Sequence, residues 1–168
     1  AVFRFRRLSE EAIRKRLEYI AKDQGLSITE DGYEALVYVA QGDMRKAVNS
    51  LQAAAFVEPG KSISRETIYR TTATANPEDI KNLIETALRG NFRAARKELN
   101  RFLYEEGLSG EDIIGQIYRA ISEMDNRMIL DLGLSEKRIV ELVDIIGEID
   151  FRLTEGATEK IQLEALLA

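Results

Sequence analysis

The stretch Gln-Gly-Asp-Met-Arg-Lys-Ala-Val-Asn-Ser-Leu-Gln-Ala-Ala-Ala, residues 41–55, organises the first half of the chain. Gly42 follows an apolar-periodic segment and suits the end of one helix, because glycine adopts a positive φ at little cost. Asp43 suits the start of the next helix, because its carboxylate can accept hydrogen bonds from free N–H groups. Helical spacing after Asp43 predicts a buried face made of Val48, Leu51, Ala54 and Ala55.

Two cations, Arg45 and Lys46, stand in the first turn of this predicted helix. A helix N-terminus already carries partial positive charge, so cations are unfavourable there. Either Asp43 compensates for them or the protein uses positive potential at this point. Free N–H groups beside an arginine form a receptor for phosphate oxygens. A capped helix with two solvated basic residues is the simpler interpretation, and the stretch by itself leaves both open.

With its flanking segments, this stretch resembles the sensor-2 region of AAA+ ATPases, in which Gly-Asp-x-Arg opens a helix of the lid domain. The resemblance covers the whole chain and is greatest to archaeal small subunits of the replication factor C family, the clamp loaders of DNA replication. Residues 1–7 are similar to the segment that follows the arginine-finger motif of those subunits. Residues 156–168 are similar to the end of their collar domain. The order and spacing of the three segments carry the resemblance.

Composition indicates an ordinary globular chain, with 168 residues, 32% charged and 45% hydrophobic. The net charge of −5 argues against nucleic-acid binding by the chain as a whole. No apolar run approaches the roughly 20 residues that a membrane span requires. Arg4, Arg6 and Arg7 interrupt the first apolar residues, which is unlike a signal peptide. An intracellular, cytoplasmic location is therefore expected.

The chain has no cysteine and no histidine. This removes thiol nucleophiles, disulfides, imidazole bases and the usual zinc ligands, and we expect no metal site. The adjacent acids Glu10 and Glu11, like Glu105 and Glu106, point about 100° apart on a helix. Neither pair therefore predicts an acid/base couple or a metal couple.

The tripeptide Gly60-Lys61-Ser62 ends like a phosphate-binding P-loop but lacks the rest of its pattern. A P-loop requires glycine where this chain has Ala55, and a strand where a helix is predicted here. A surface turn after Pro59 accounts for the tripeptide. No other stretch offers a Walker A lysine, and no apolar strand ends in the acidic pair of a Walker B motif. We expect no enzymatic activity from this chain.

Apolar periodicity and capping residues predict an all-α chain of two helical domains. Four helices, capped by Ser9, Thr29, Asp43 and Ser64, are predicted in the first half. The one strand candidate comprises Val2, Phe3 and Phe5. A small polar run at residues 71–76 is the best linker, and Asn76-Pro77 begins a new helix. We place one domain at residues 1–75 and the other at residues 76–168.

Several helices of the second half carry apolar stripes wider than one seam requires. Most of these residues must fill a bundle core, and the others are predicted to remain available to another subunit. Whether residues 124–132 continue the helix that begins after Ser109 is left open by the sequence. The interface candidates are Ile113, Ile117, Tyr118, Ile146, Phe151, Ile161 and Leu163.

The resemblance implies a small lid-type bundle followed by a collar-type helical bundle. In the family, the lid closes over ATP and Mg²⁺ held by a preceding ATPase domain. Arg45 matches the sensor-2 arginine that reaches the terminal phosphate, and Gly42 and Asp43 shape the start of its helix. This chain would hold no cofactor by itself.

The implied partners are the other small and large clamp-loader subunits, joined through the collar. The complete protein would use ATP to load a sliding clamp on primed DNA, mainly through its ATPase domain. The alternative is a non-enzymatic helical adaptor with no connection to nucleotide. The two hypotheses differ in Arg45, which should face an open cleft beside the N-terminal segment only in the first.

Overall fold

The computed structural model describes residues 2–4 and 6–168, apart from the side chain of Asn126. Every regular element of this part is helical, which confirms the all-α prediction. Residues 2–4 belong to no helix or strand, so the predicted strand is absent there, and Phe5 lies outside the described residues. The chain divides into two compact units, Ala1–Thr74 and Ala75–Ala168.

The first unit contains four helices: α1 (Glu10–Gln24), α2 (Glu30–Ala40), α3 (Met44–Val57) and α4 (Arg65–Thr72). The Ser9 and Thr29 hydroxyls accept hydrogen bonds from the first-turn amides of α1 and α2, as their sequence positions predict. Ser64 occupies the N-cap position of α4, but its hydroxyl donates to the Glu66 carboxylate at 2.7 Å instead of capping the backbone.

Helix α2 packs against the other three helices of the first unit. The core comprises large residues from all four helices, among them Ile13, Leu17, Leu36, Leu51 and Ile68. A single parallel β-bridge joins Ile28 to Ile63, where the Ile63 carbonyl accepts a hydrogen bond from Thr29 N at 3.0 Å. This bridge ties the α1–α2 loop to the α3–α4 loop.

Glu58, at the end of α3, holds α4 in place through its carboxylate. Arg70 donates to one carboxylate oxygen at 2.8 Å, and the Thr67 hydroxyl donates to the other at 3.1 Å. The bond from Arg70, followed by the bond from Thr67, lowers the pKa of Glu58 below its usual value of 4.5. A depressed pKa means that the folded state favours the ionised carboxylate.

We expect Glu58→Gln to lower the melting temperature of the first unit at neutral pH. The carboxylate contributes stability above the unfolded pKa, and that contribution is lost as pH falls through the lower folded pKa. The difference between wild type and variant should therefore vanish in acid. Melting curves over a pH series test this, with Arg70→Gln completing a double-mutant cycle. A Glu58–Arg70 coupling that persisted unchanged in acid would contradict the prediction.

The second unit contains six α-helices: α5 (Pro77–Leu88), α6 (Phe92–Asn100), α7 (Gly110–Ser122), α8 (Asn126–Asp131), α9 (Glu136–Thr154) and α10 (Glu159–Leu167). Helix α6 continues directly into a π-helical turn at Arg101–Glu105, which the sequence did not predict. Periodicity did not show whether residues 124–132 continue α7. In the structure this segment contains a short helix, α8, that is separate from α7.

Helices α5, α6, α7, α9 and α10 all contribute to the core of the second unit, in which Phe102 of the π-helical turn is wholly buried. Arg101 ties the π-helical turn to α5 by donating to Asp79 at 2.8 Å, and it also contacts Glu98 and Glu106. The last helix is fixed by Glu159, which accepts a hydrogen bond from Gly110 N at 2.8 Å. Glu159 thereby supplies a carboxylate to the N-terminus of α7, where negative charge is favourable.

Candidate functional site

A cleft of about 510 Å³ lies in the first unit, where the N-terminal segment meets the turn between α2 and α3. Its described lining consists of Arg6, Arg7, Ala40, Gln41, Gly42, Asp43, Met44 and Lys46. Two residues that the sequence singled out, Gly42 and Asp43, are therefore part of one concave surface.

Gly42 allows the N-terminal segment to lie close against this turn. Gln41 and Gly42 both have positive φ, at 49° and 84°. The Gly42 carbonyl accepts a hydrogen bond from Leu8 N at 3.0 Å, and an added Cβ would lie only 2.7 Å from Arg7 Cβ. Any side chain at this position would thus combine backbone strain with a steric clash. Glycine is required for the shape of the cleft as well as for ending α2.

Asp43 caps α3 as predicted. One carboxylate oxygen accepts hydrogen bonds from Arg45 N at 2.8 Å and from Lys46 N at 3.1 Å. These two amides are therefore occupied by the protein's own carboxylate. An external anion would therefore bind here through the cationic side chains around the cap, which can supply charge-assisted hydrogen bonds.

Arg45 is exposed, and its guanidinium has no hydrogen-bond or ion-pair partner among the residues that the structure describes. The described lining of the cleft includes Met44 and Lys46, which flank Arg45 in the sequence, but not Arg45 itself. The site prediction did not include Lys46, Arg6 or Arg7. The run of cations in the sequence was the signal that could have found them.

The electrostatic character of this region is cationic. The described lining of the cleft has three cations, Arg6, Arg7 and Lys46, and one carboxylate, that of Asp43, which already caps α3. Arg7 reaches the Gln41 carbonyl at 3.4 Å. The arrangement suits a polyanionic ligand with several oxygens, because each cation can add one charge-assisted contact.

No group of three or more acidic, histidine or cysteine side chains in the described chain is arranged to hold a metal ion. None of the helices described combines the length and the apolar character needed to cross a membrane.

The structure separates the seven predicted interface residues into two sets. Ile113, Ile117, Ile146 and Leu163 are buried in the core of the second unit, so they offer no free surface for a partner. Periodicity identified them as apolar without showing that this unit's own helices cover them. Tyr118, Phe151 and Ile161 are exposed at 49%, 61% and 63%.

Additional exposed apolar side chains, which the sequence analysis did not select, lie on α8 and α9. They are Leu130, Val140, Val143 and Ile145. A groove of about 720 Å³ runs between α9 and α10, with Asp144 and Glu148 among its lining residues. The outer surface of α9 is thus apolar in part and acidic in part.

Comparison with known proteins identifies relatives of this chain. Residues 75–168 match the family described as the replication factor C C-terminal domain. The chain is 95% identical over its whole length to the replication factor C small subunit of Methanosarcina barkeri, and 50% identical to that of Archaeoglobus fulgidus. The match covers 50% of each of these relatives. A replication factor C small subunit of Pyrococcus furiosus is 48% identical over the whole chain, which covers 18% of that protein.

The chain therefore spans about half the length of most of the curated relatives it matches. The family match begins at residue 75, where the second compact unit also begins. More than half of the chain lies within the matched domain, and the chain belongs to the replication factor C family.

Proposed function

We propose that this chain is the nucleotide-sensing and assembly part of a clamp-loader small subunit. The first unit would serve as the lid over ATP bound by an ATPase domain, and the second as the collar that joins subunits. The complete protein would then use ATP to load a sliding clamp on primed DNA. The observation that supports the sensing role best is Arg45, whose guanidinium has no partner among the described residues and which lies in sequence between Met44 and Lys46 of the cleft lining.

Arg45 is suited to detect a terminal phosphate. A guanidinium can donate two parallel hydrogen bonds to phosphate oxygens, and its pKa keeps it charged at any physiological pH. The Asp43 carboxylate holds the two backbone amides at the start of α3, so the backbone that carries Arg45 is well fixed. The contact would exist only while the terminal phosphate is present.

Loss of that contact on hydrolysis would release the lid from the nucleotide. A contact that depends on one phosphate favours one lid angle before hydrolysis and removes the preference afterwards, as in hinge-type switches. Lys46, Arg6 and Arg7 would add long-range attraction for the polyphosphate from within the cleft. In this scheme Arg45 provides sensing and the cleft provides general affinity.

We expect Arg45→Ala in the full-length subunit to weaken ATP-coupled activity by roughly 10-fold to 100-fold, the equivalent of one hydrogen bond to a charged group. Stability should change little, because the side chain is exposed and unpaired in the described structure. ATP binding, ATP turnover and clamp loading are the measurements. Arg16→Ala is a matched control, since it removes an exposed guanidinium from α1.

Lys46→Ala separates the sensing role from general attraction, because Lys46 lines the cleft and follows Arg45 directly. We expect it to weaken nucleotide binding at low salt more than at high salt, without uncoupling turnover from clamp loading. Normal ATP turnover and clamp loading by Arg45→Ala would overturn the sensor-2 assignment. That result would favour the helical adaptor.

The assembly role is supported by apolar surface that the second unit leaves uncovered. Phe151 on α9, Ile161 on α10 and Tyr118 on α7 are large, apolar or aromatic, and about half exposed or more. Aromatic side chains are enriched at protein interfaces, because they bury much area at low entropic cost. We therefore assign these three residues to contacts with other subunits.

A further inference from the structure

Met44 places a thioether sulfur at the cleft of the first unit. It is the first residue of α3 and directly follows the Asp43 cap. Its half-buried side chain lines the cleft and also packs against the hydrophobic core of the unit. The same side chain therefore belongs to the surface proposed to receive a polyanion and to the packing that holds the start of α3.

Oxidisable sulfur is scarce in this sequence. These 168 residues contain no cysteine and three methionines. The other two, Met124 and Met128, lie in the second unit and outside the described lining of the cleft. Because no thiolate competes, a peroxide that reaches this chain has the methionine sulfurs as its main targets. Met44 is the one of the three that lines the candidate functional site.

Oxidation of a thioether by a hydroperoxide is a balanced two-electron step. A sulfur lone pair forms a bond to one peroxide oxygen as the O–O bond breaks. The leaving oxygen keeps the electron pair of that bond and takes the proton of the transferred oxygen, so hydrogen peroxide leaves as water. Sulfur is thereby oxidised to the sulfoxide and the peroxide is reduced.

A sulfoxide at Met44 would change the cleft in two ways. Its oxygen is a hydrogen-bond acceptor, and the cations Arg6, Arg7 and Lys46 line the same cleft. A cation that donates to this oxygen is partly withdrawn from an incoming phosphate, which depends on the same charge-assisted hydrogen bonds. The sulfoxide is also polar, so it no longer suits the apolar contact that the thioether makes with the core.

The backbone at the start of α3 has little to offer the sulfoxide oxygen. The two amides that follow Met44, those of Arg45 and Lys46, already donate to Asp43 at 2.8 and 3.1 Å. The sulfoxide would therefore compete for the cationic side chains, which are the donors that this cleft offers to a polyanion.

We propose that Met44 is a reversible oxidation site, through which a hydroperoxide weakens polyanion binding at this cleft. This inference rests on the proposed function, because it takes the cleft to be a place where polyphosphate binds. A methionine sulfoxide reductase, with a dithiol as reductant, would restore the thioether and with it the cleft. The same oxidation at Met124 or Met128 would leave the cleft unchanged.

Calorimetric titration of inorganic tripolyphosphate into this chain, before and after hydrogen peroxide, tests the effect on binding. Oxidation should weaken binding by about 10-fold, the equivalent of one hydrogen bond to a charged group, and the reductase should restore it. A chain with both Met124→Leu and Met128→Leu keeps Met44 and should respond like wild type. Met44→Leu is the matched control, and peroxide should not change its affinity, whatever its starting value.

Ligand protection tests where the responsible sulfur lies. Peptide mass mapping gives the rate of oxidation at each methionine. Saturating tripolyphosphate should slow oxidation of Met44 several-fold, because the ligand covers the cleft, and should leave the rates at Met124 and Met128 unchanged. A Met44 rate that did not respond to the ligand would overturn the proposal.

Met44→Gln distinguishes a change in the cleft from general oxidative damage. It places a polar group at this position without peroxide, so it should bind tripolyphosphate about as weakly as the oxidised wild type. Circular dichroism compares the helical content of the two. Loss of helical signal on oxidation of Met44 would mean that the unit unfolds, and it would overturn an effect confined to the cleft.

The outcomes also separate this inference from the proposed function. An unoxidised chain that does not bind tripolyphosphate would overturn the polyanion role of the cleft together with this inference. Tripolyphosphate binding that is unchanged after complete oxidation of Met44 would overturn this inference alone.

Discussion

Replacing Phe102 with alanine should destabilise the second unit by about 3–5 kcal/mol, the usual cost of removing a buried phenylalanine side chain. Phe102 is wholly buried and is the largest side chain in the core of that unit. It lies on the π-helical turn, where Arg101 stacks over its ring at 4.8 Å and is itself tied to Asp79. Because these contacts fix the turn, the surrounding helices cannot easily collapse into the space.

Chemical denaturation, combined with hydrogen exchange of the amides in residues 75–168, measures this loss. Tyr104→Ala is the matched control, since it removes an aromatic ring from the same turn at a position that is 67% exposed. The control should cost less than about 1 kcal/mol, as is usual for exposed positions. If Phe102→Ala cost no more than Tyr104→Ala, the burial of Phe102 in this core would be refuted.

Helix starts in this chain were predictable, because they depend on local chemistry. The side chains of Ser9, Thr29, Asp43, Asn76 and Ser109 each accept a hydrogen bond from an amide in the first turn that follows. Such a bond involves residues two or three positions apart, so the sequence contains all of its information. These helix starts are confirmed for that reason.

The π-helical turn and the isolated β-bridge could not be predicted, because both depend on distant residues. Arg101 is held by Asp79 from another helix, and Ile28 pairs with Ile63 across two helices. Neither partnership leaves a periodic signal in the sequence. Propensity and spacing report on neighbours along the chain and not on such contacts.

The interface prediction was limited by α9, which is apolar on two sides. Periodicity shows which residues share a side of a helix, but it does not show which of two apolar sides meets the core. Ile146 and Phe151 were selected together, yet the first is buried and the second is exposed. Only the packing of α7 and α10 against α9 distinguishes them.

The candidate cleft shows a similar limit. The cap at Asp43 and the turn at Gly42 followed from residue type, and the structure has both. Residue type did not predict the direction of the long side chains. Lys46 lines the cleft, whereas Arg45 is not part of its described lining. Residues adjacent on a helix point about 100° apart, so a shift of one position changes which cation faces a cleft.

Gly32→Ala should destabilise the first unit by about 1–3 kcal/mol, the typical cost of forcing an extra group into a packed site. Gly32 lies in the first turn of α2, where alanine would normally be favoured over glycine by about 1 kcal/mol. Here an added Cβ would lie 2.6 Å from the Ile63 carbonyl oxygen and 3.0 Å from the Ile28 side chain. The Ile63 carbonyl oxygen is a backbone atom, so it cannot move away without disturbing the Ile28–Ile63 bridge.

At Gly32 the steric cost of the added Cβ should therefore exceed the gain from alanine's higher helix propensity. The test is the sign of the change in stability. Gly115→Ala is the control, because Gly115 lies inside α7 with no atom within 4 Å of an added Cβ. Only the difference in helix propensity between glycine and alanine applies at that position. The Gly115→Ala variant should therefore be more stable than wild type by about 0.5–1 kcal/mol. Denaturant titrations of both variants measure the two signs. Stabilisation by both substitutions would show that the α1–α2 and α3–α4 loops do not meet as closely as the bridge requires.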